Sequence, residues 1–208
     1  MRRATIEPMP VDLHPETIRV PDSVRFPIEL EPPEGFRADD PGTWPRVEGR
    51  LEWVQGRLLY MPPCGHVQGV VAVSGVVVLG TWARAHREFV VGGNEAGMLL
   101  GHDVRGAEAG VWRRDDPGRL TGGYMRVPPI LAVEVAGREE GERELRTKAR
   151  WYLEHGVQVM WLVLPKTREV VVMRADGEER YGLGDRLAAD VRLPGLEPAV
   201  SEFFDQLD

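Results

Sequence analysis

Two carboxylates and one amine give this chain its most promising chemistry. Glu134 stands near the end of the apolar run ILAVEV (130–135), and Glu108 lies in RGAEAGVW (105–112). A carboxylate inside an apolar strand is costly to bury unless a metal ion or an ammonium group pairs with it. If the two strands are neighbours, both carboxylates can converge on one hard cation, and Mg²⁺ usually takes one or two protein carboxylates and keeps several waters. Such an ion polarises a phosphoryl oxygen and lowers the pKa of a bound water. The charged stretch GREEGERELRTKARWYLEHGV (137–157) carries Lys148 and Tyr152 on one helical face. From there Lys148 can fold back over the strand end and stabilise negative charge or orient the nucleophile.

Each of these residues also has a plainer reading. Glu108 could be a solvated charge at a strand end. Lys148 has Glu144 and Tyr152 four residues to either side, the spacing of an ordinary surface pair on a helix. Glu52, in RLEWVQGRL, is a third candidate carboxylate, and strand alternation makes a solvent-facing role its default. His66 is expected near a helix start, where a cap or surface role competes with contact to a phosphate or metal. Cys64 has no basic neighbour to favour a thiolate and reads as a plain buried thiol. The glycines at 92, 93, 97 and 101 match neither GxxxxGK[ST] nor GxGxxG, so no nucleotide loop is expected.

Several elements must position these groups. Residues 1–46 are rich in proline and acidic groups and read as an extended arm, leaving a domain over 47–208. RLEWV and RLLYM flank Gln55-Gly56, a two-residue hairpin turn. Residues 65–86 suggest a mostly buried helix despite their valines and glycines. FVVGG and GMLLG read as two short strands, 107–114 as another, and ILAVEV as a central one. A helix over about 141–155 has acidic residues at its start and Gly156 as its stop. VMWLVL (159–164) and EVVVMRA (169–175) follow as strands around the turn at 165–168, then a short strand through Tyr181. AVSEFFDQL (199–207) reads as an amphipathic helix. Strands interleaved with helices predict an α/β fold, a mixed sheet flanked by helices.

Composition narrows the class. The 208 residues suffice for one good core, and the net charge of −7, with a pI near 5.4, argues against tight non-specific DNA binding but not against catalysis. A resident cation would supply local positive charge inside an acidic chain. The first 12 residues lack an apolar signal region, and no run of 18 apolar residues predicts a membrane span. The single cysteine excludes an internal disulfide and a multi-cysteine zinc site, and it suits a reducing cytoplasm.

Taken in order, these motifs resemble the Uma-type endonuclease family of the PD-(D/E)XK, restriction-endonuclease-like superfamily. The likeness runs over about 48–205. EWVQGRLLYMPP matches the family's opening motif and aligns its first acid with Glu52, and the following histidine is His66. Arg105-Gly106-Ala107-Glu108 stands where the family has R-x-P-D. PPILAVEV aligns the central acid with Glu134, the Lys-x-x-x-Tyr helix matches Lys148 and Tyr152, and LPGLEP matches the closing Leu-Pro-Gly.

Two departures stand out. Glu108 replaces the family's aspartate, one methylene longer. The family's Glu-Val-x-Ser-Pro becomes Glu134-Val135-Ala136-Gly137-Arg138, so the lysine expected two residues after the acid is Ala136. The resemblance implies that Lys148 takes over that role from the helix. It also implies a Mg²⁺- or Mn²⁺-dependent DNA endonuclease with Glu108 and Glu134 as metal ligands and Glu108, Glu134 and Lys148 as the catalytic set. Glu52, Tyr152 and His66 would support that set. DNA is the implied substrate, and a homodimer acting in the cytoplasm is expected, with the arm clasping a neighbour. A degenerate nuclease fold serving as an interaction or assembly module is the competing expectation.

Overall fold

The structure is a computed structural model that describes residues 23–116, 123–138 and 140–207. Residues 1–22 of the arm and 117–122 of the loop after Asp116 lie outside them. Nine strands among the described residues form one sheet: β1 (Ile28–Leu30), β2 (Arg50–Val54), β3 (Arg57–Met61), β4 (Phe89–Leu100), β5 (Asp103–Arg113), β6 (Leu131–Val135), β7 (Val159–Leu164), β8 (Glu169–Arg174) and β9 (Gly177–Tyr181). Two helices, α1 (His66–Ala85) and α2 (Glu142–Glu154), pack against it. The spatial order is β1-β3-β2-β5-β6-β7-β8-β9, with β4 also paired to β5. Among these described strands β6 and β7 alone pair in parallel, and α2 makes the crossover between them. This is the expected mixed α/β sheet.

The sheet divides at β5, and the division makes room for the site. On one edge of β5, Val104 pairs with Trp53 of β2, and Ala109 to Val111 pair with Val133 to Leu131 of β6. Between these contacts, Arg105 to Glu108 have no ladder partner on that edge among the described residues. The other edge carries β4, whose register shifts between Gly93 and Ala96, opposite Glu108. Asn94, at φ 55°, lies in this bulge. Bulges bend a strand and re-aim its side chains. Glu108 therefore sits where β5 is both bulged on one side and open on the other.

Two apolar layers cover the sheet. On the α1 side, Val71, Leu79 and Trp82 pack with Val111, Leu131, Val133, Trp161, Phe203 and Phe204. On the α2 side, Leu145, Ala149 and Tyr152 pack with Ala132, Met160, Leu162 and Val171. β6 and β7 are buried along their whole length, which explains their unbroken apolar sequence.

Several boundaries differ from expectation for identifiable reasons. β4 is one strand, not two. Its glycines mark close approaches: a Cβ on Gly92 would lie 3.0 Å from Trp112, one on Gly93 2.9 Å from Val76, and one on Gly97 2.9 Å from Tyr124. β5 begins at Asp103 instead of 107. The C-terminal helix is a pair of 3₁₀ turns, Val200–Phe203 and Asp205–Leu207, because adjacent Phe203 and Phe204 are both buried and do not share one face of an α-helix.

α1 forms as expected but is only half covered: Val67, Val73 and Val77 face outward. By length and composition alone it is apolar enough to cross a membrane, contrary to the expectation of no such segment. Its uncharged glycine, serine and glutamine interrupt an apolar run without removing its hydropathy. Its other face packs on β4, β5, β6 and the C-terminal turns, as a core helix does.

The described part of the arm lies on its own domain. β1 extends the sheet by pairing with β3, and Phe36 packs against Trp44 and Trp53 with ring centroids 5.4 and 5.0 Å away. The expected hairpin turn is present, with Gln55 and Gly56 both at positive φ.

Candidate active site

The gap in the β5 ladder is filled by charge. Lys148 reaches in from α2, and its Nζ donates to the free Gly106 carbonyl at 3.2 Å and to Glu134 Oε2 at 3.0 Å. The same ammonium lies 2.9 Å from Glu134 Oε1 and 3.2 Å from Glu52 Oε1. Arg105 Nε donates to Glu52 Oε2 at 3.0 Å, and its guanidinium lies over the Trp151 ring, 5.1 Å from the centroid. Arg50 stands 4.0 Å from Glu52 and 3.6 Å from Glu140. Glu52, Glu134 and Lys148 are 2%, 2% and 3% exposed. A buried ammonium between two carboxylates is the pairing that a charge in an apolar strand requires.

Two plain readings of the sequence are thereby corrected. Glu52 does not face solvent, because Lys148 from α2 and Arg105 from β5 both engage its carboxylate. Lys148 does not pair with Glu144 on the surface. Glu144 instead accepts from the Gly141 amide at the start of α2 and from Arg143. Cys64 is exposed, in contrast to the buried thiol expected, because it precedes α1 in the loop after Pro62-Pro63.

Burial and neighbouring charge drive the acids apart. Burial opposes ionisation of Glu52, but Lys148, Arg105 and Arg50 outweigh it and pull its pKa down to about 2. Glu134 is pushed up to about 7, chiefly by burial and also by the charge of Glu108, against the pull of Lys148 and Arg50. Burial disfavours the charged form of Lys148, yet Glu134 and Glu52 hold its pKa above the ordinary lysine value. Tyr152, fully buried beside Glu134, has its phenol pKa raised by burial and by the two carboxylates. Its hydroxyl has no hydrogen-bond partner of good geometry among the described residues.

Glu108 and Glu134 are brought together from opposite sides. The β5–β6 ladder ends at Ala109–Val133, one residue short of both acids, and the charge of Glu108 is near enough to help raise the pKa of Glu134. Glu134 is held from α2 by Lys148, whereas Glu108 is held from α1: Gln68 Nε2 donates to Glu108 Oε1 at 2.9 Å. The same nitrogen lies 3.3 Å from the Val135 carbonyl. Gln68 also lines a cleft of about 950 Å³ with His66, Gly137, Arg138, Lys166 and Arg168. His66 opens α1 on the rim of this cleft and is exposed. Neither Glu108 nor Glu134 is among the residues lining the cleft.

A divalent cation fits this donor set in kind. Glu108 and Glu134 present hard oxygen donors from adjacent strands, and Glu134 Oε1 is buried without a hydrogen bond of good geometry. Among the described residues no group of three or more His, Cys, Asp or Glu side chains is placed to hold a metal ion. Two carboxylates with water would therefore be the protein's share of a Mg²⁺ shell.

Sequence reasoning passed over Gln68 and gave neither Arg105 nor Asp103 a role at the site. Asp103 accepts from the Gln55 amide at 2.9 Å and from Trp151 Nε1 at 3.0 Å, pinning the β2–β3 hairpin to α2. Glutamine on a valine-rich helix and arginine on a strand carried no local signal. Their partners are 40 and 53 residues away.

This layout, with acids at a split in a mixed sheet and a lysine delivered from the crossover helix, belongs to the nuclease-like α/β class. The solved structure of a putative nuclease belonging to DUF820 from Anabaena variabilis ATCC 29413 shares the fold, with a TM-score of 0.68 at 18% identity over 79% of this chain and 94% of that one. No curated protein matches the chain. The family model described as Uma2, putative restriction endonuclease, matches residues 39–201, and the chain belongs to that family.

Proposed function

We propose that this protein is a Mg²⁺-dependent endonuclease that hydrolyses phosphodiester bonds in DNA, with Mn²⁺ as a substitute ion. The observation that carries the reading is that one Gln68 amide donates to Glu108 Oε1 at 2.9 Å and to the Val135 carbonyl at 3.3 Å, beside Glu134, whose carboxylate has the Lys148 ammonium 2.9 Å away. Glu108 and Glu134 would hold the cation, which when bound polarises the phosphoryl group and acidifies a water.

The protein's own groups supply the rest. Lys148 stays cationic because Glu134 and Glu52 favour its charged form, so it offers an ammonium to the developing negative charge on phosphate. Glu52, held ionised by three cations, keeps Lys148 aimed into the gap of β5. Tyr152 fills the space beneath Glu134. His66 and the basic residues of the cleft would meet the phosphates of a DNA strand entering toward Gln68. A homodimer would supply two such sites for the two strands of a duplex, and light scattering at tens of micromolar would read a doubled mass.

A second reading, a nuclease fold retained as a binding module, is favoured by the charge balance at the site, where Lys148 already engages both oxygens of Glu134. One experiment separates the two. Purified full-length protein should nick supercoiled DNA in Mg²⁺ or Mn²⁺, and Glu134→Gln should abolish nicking. Equal nicking by both proteins would refute the role of Glu134, and none by either would favour the binding module.

A further inference from the structure

We propose that Gln68 is a positioning residue that sets the carboxylate of Glu108 for cation binding; this rests on the metal-site reading above. Three observations converge on it. Its amide nitrogen is 2.9 Å from Glu108 Oε1 and 3.3 Å from the Val135 carbonyl, so one side chain from α1 ties together the two strands that carry the acids. Its carbonyl end is seated against Gly137, where a Cβ would come within 2.5 Å of Oε1. Gln68 also lies in the cleft wall while its amide holds the buried Glu108.

The arrangement explains two departures of this chain together. Glu108 is a methylene longer than the aspartate of the motif it matches, and a longer acid has one more rotatable bond to fix. The Gln68 amide fixes it. Gly137 stands where that motif has serine, and a side chain there would meet the Gln68 carboxamide. Glu108, Gln68 and Gly137 therefore act as one unit: the acid, the amide that aims it, and the space in which the amide sits. A hydrogen bond to a metal-binding carboxylate orients the ligand, and losing such a partner typically weakens metal binding by about 10–100-fold.

The test is calorimetric titration of the full-length protein with Mn²⁺ alone, accompanied by thermal melting without metal. Glu134→Gln should remove saturable binding. Gln68→Met, which keeps the length of the side chain and removes the amide, should weaken binding about tenfold or more while melting close to wild type without metal. Gly137→Ala should weaken binding in the wild-type background and add nothing in the Gln68→Met background. Unchanged or tighter Mn²⁺ binding in Gln68→Met, with Glu134→Gln still inactive in binding, would overturn the positioning role and leave the metal site standing. An equal loss from Gly137→Ala in both backgrounds would break the unit. A wild-type protein that binds no Mn²⁺ would overturn the metal site and this role together.

Discussion

Among the ion-pair networks of the described residues, two join basic side chains to glutamates at similar distances, and only one of those two sits where chemistry is expected. On the outer face of α2, Arg146 pairs with Glu142 at 2.8 Å and with Glu178, while Arg180 joins Glu142 and Glu169. In the gap of β5, Lys148 and Arg105 join Glu134 and Glu52 at 2.9–3.2 Å. Distance does not distinguish them, but burial does. The outer partners are between 21% and 49% exposed, where water and salt screen each pair, whereas Glu52, Glu134 and Lys148 are nearly sealed. Charge buried at this depth carries a solvation penalty of several kcal/mol per ion. A chain that only needed to fold would do as well with leucines.

This contrast yields graded expectations. Lys148→Met should be the most damaging single change, at about 3–5 kcal/mol in urea unfolding, because it takes the ammonium from buried Glu134 and one of three cations from buried Glu52. Replacing Lys148 by Met together with Glu134 and Glu52 by Gln should recover much of that loss. If the triple variant is no better than the single one, burial of unpaired charge is not the cause. An activity assay of Lys148→Met alone would thus confuse catalysis with folding.

Asp103→Ala should follow at about 1–3 kcal/mol, from two lost acceptor contacts at the Gln55 amide and Trp151. Chemical denaturation would read it, and a change below a few tenths of a kcal/mol would remove Asp103 as the pin between hairpin and α2.

The two buried acids should also give opposite pH signatures. Glu52 has its folded pKa lowered to about 2, so its contribution is present above the unfolded value of 4.5 and is lost as pH falls toward 2. Glu134 has its folded pKa raised to about 7, so the folded state holds its proton more tightly and stability declines as pH rises from 4.5 to 7. Melting curves across pH should therefore flatten on the acid side in Glu52→Gln and between 4.5 and 7 in Glu134→Gln. Parallel curves for wild type and both variants would contradict these assignments. The smallest effect belongs to the outer network. Arg180→Ala should cost no more than about 1 kcal/mol and lose even that in high salt.

What the sequence disclosed follows the same division between local and distant causes. ILAVEV announced a buried strand because both faces of β6 are covered, and α2 announced itself through acidic residues at its start and Gly156 at its end. Glu134 was legible because a charge in that run has no local excuse. Glu52 was named as a candidate acid, but its burial was not legible, since period-two alternation says nothing about Lys148 arriving from α2 and Arg105 from β5. Lys148 had a convincing local partner in Glu144, and only the fold shows that its ammonium instead turns inward to residues from β2, β5 and β6. The glycines of β4 read as breaks because Trp112, Tyr124 and Val76, the side chains they admit, are distant in sequence or direction. Gln68 was invisible for a like reason: its amide matters only after α1 has docked across β5 and β6.

The central claim, that Glu108 and Glu134 share one divalent cation, is tested most directly by comparing Mn²⁺ binding isotherms of wild type, Glu108→Gln and Glu134→Gln. The account predicts saturable binding by the wild type and loss of that binding in either variant, with both variants still folded. Binding that survives both substitutions, or a wild type that takes up no ion, would contradict it.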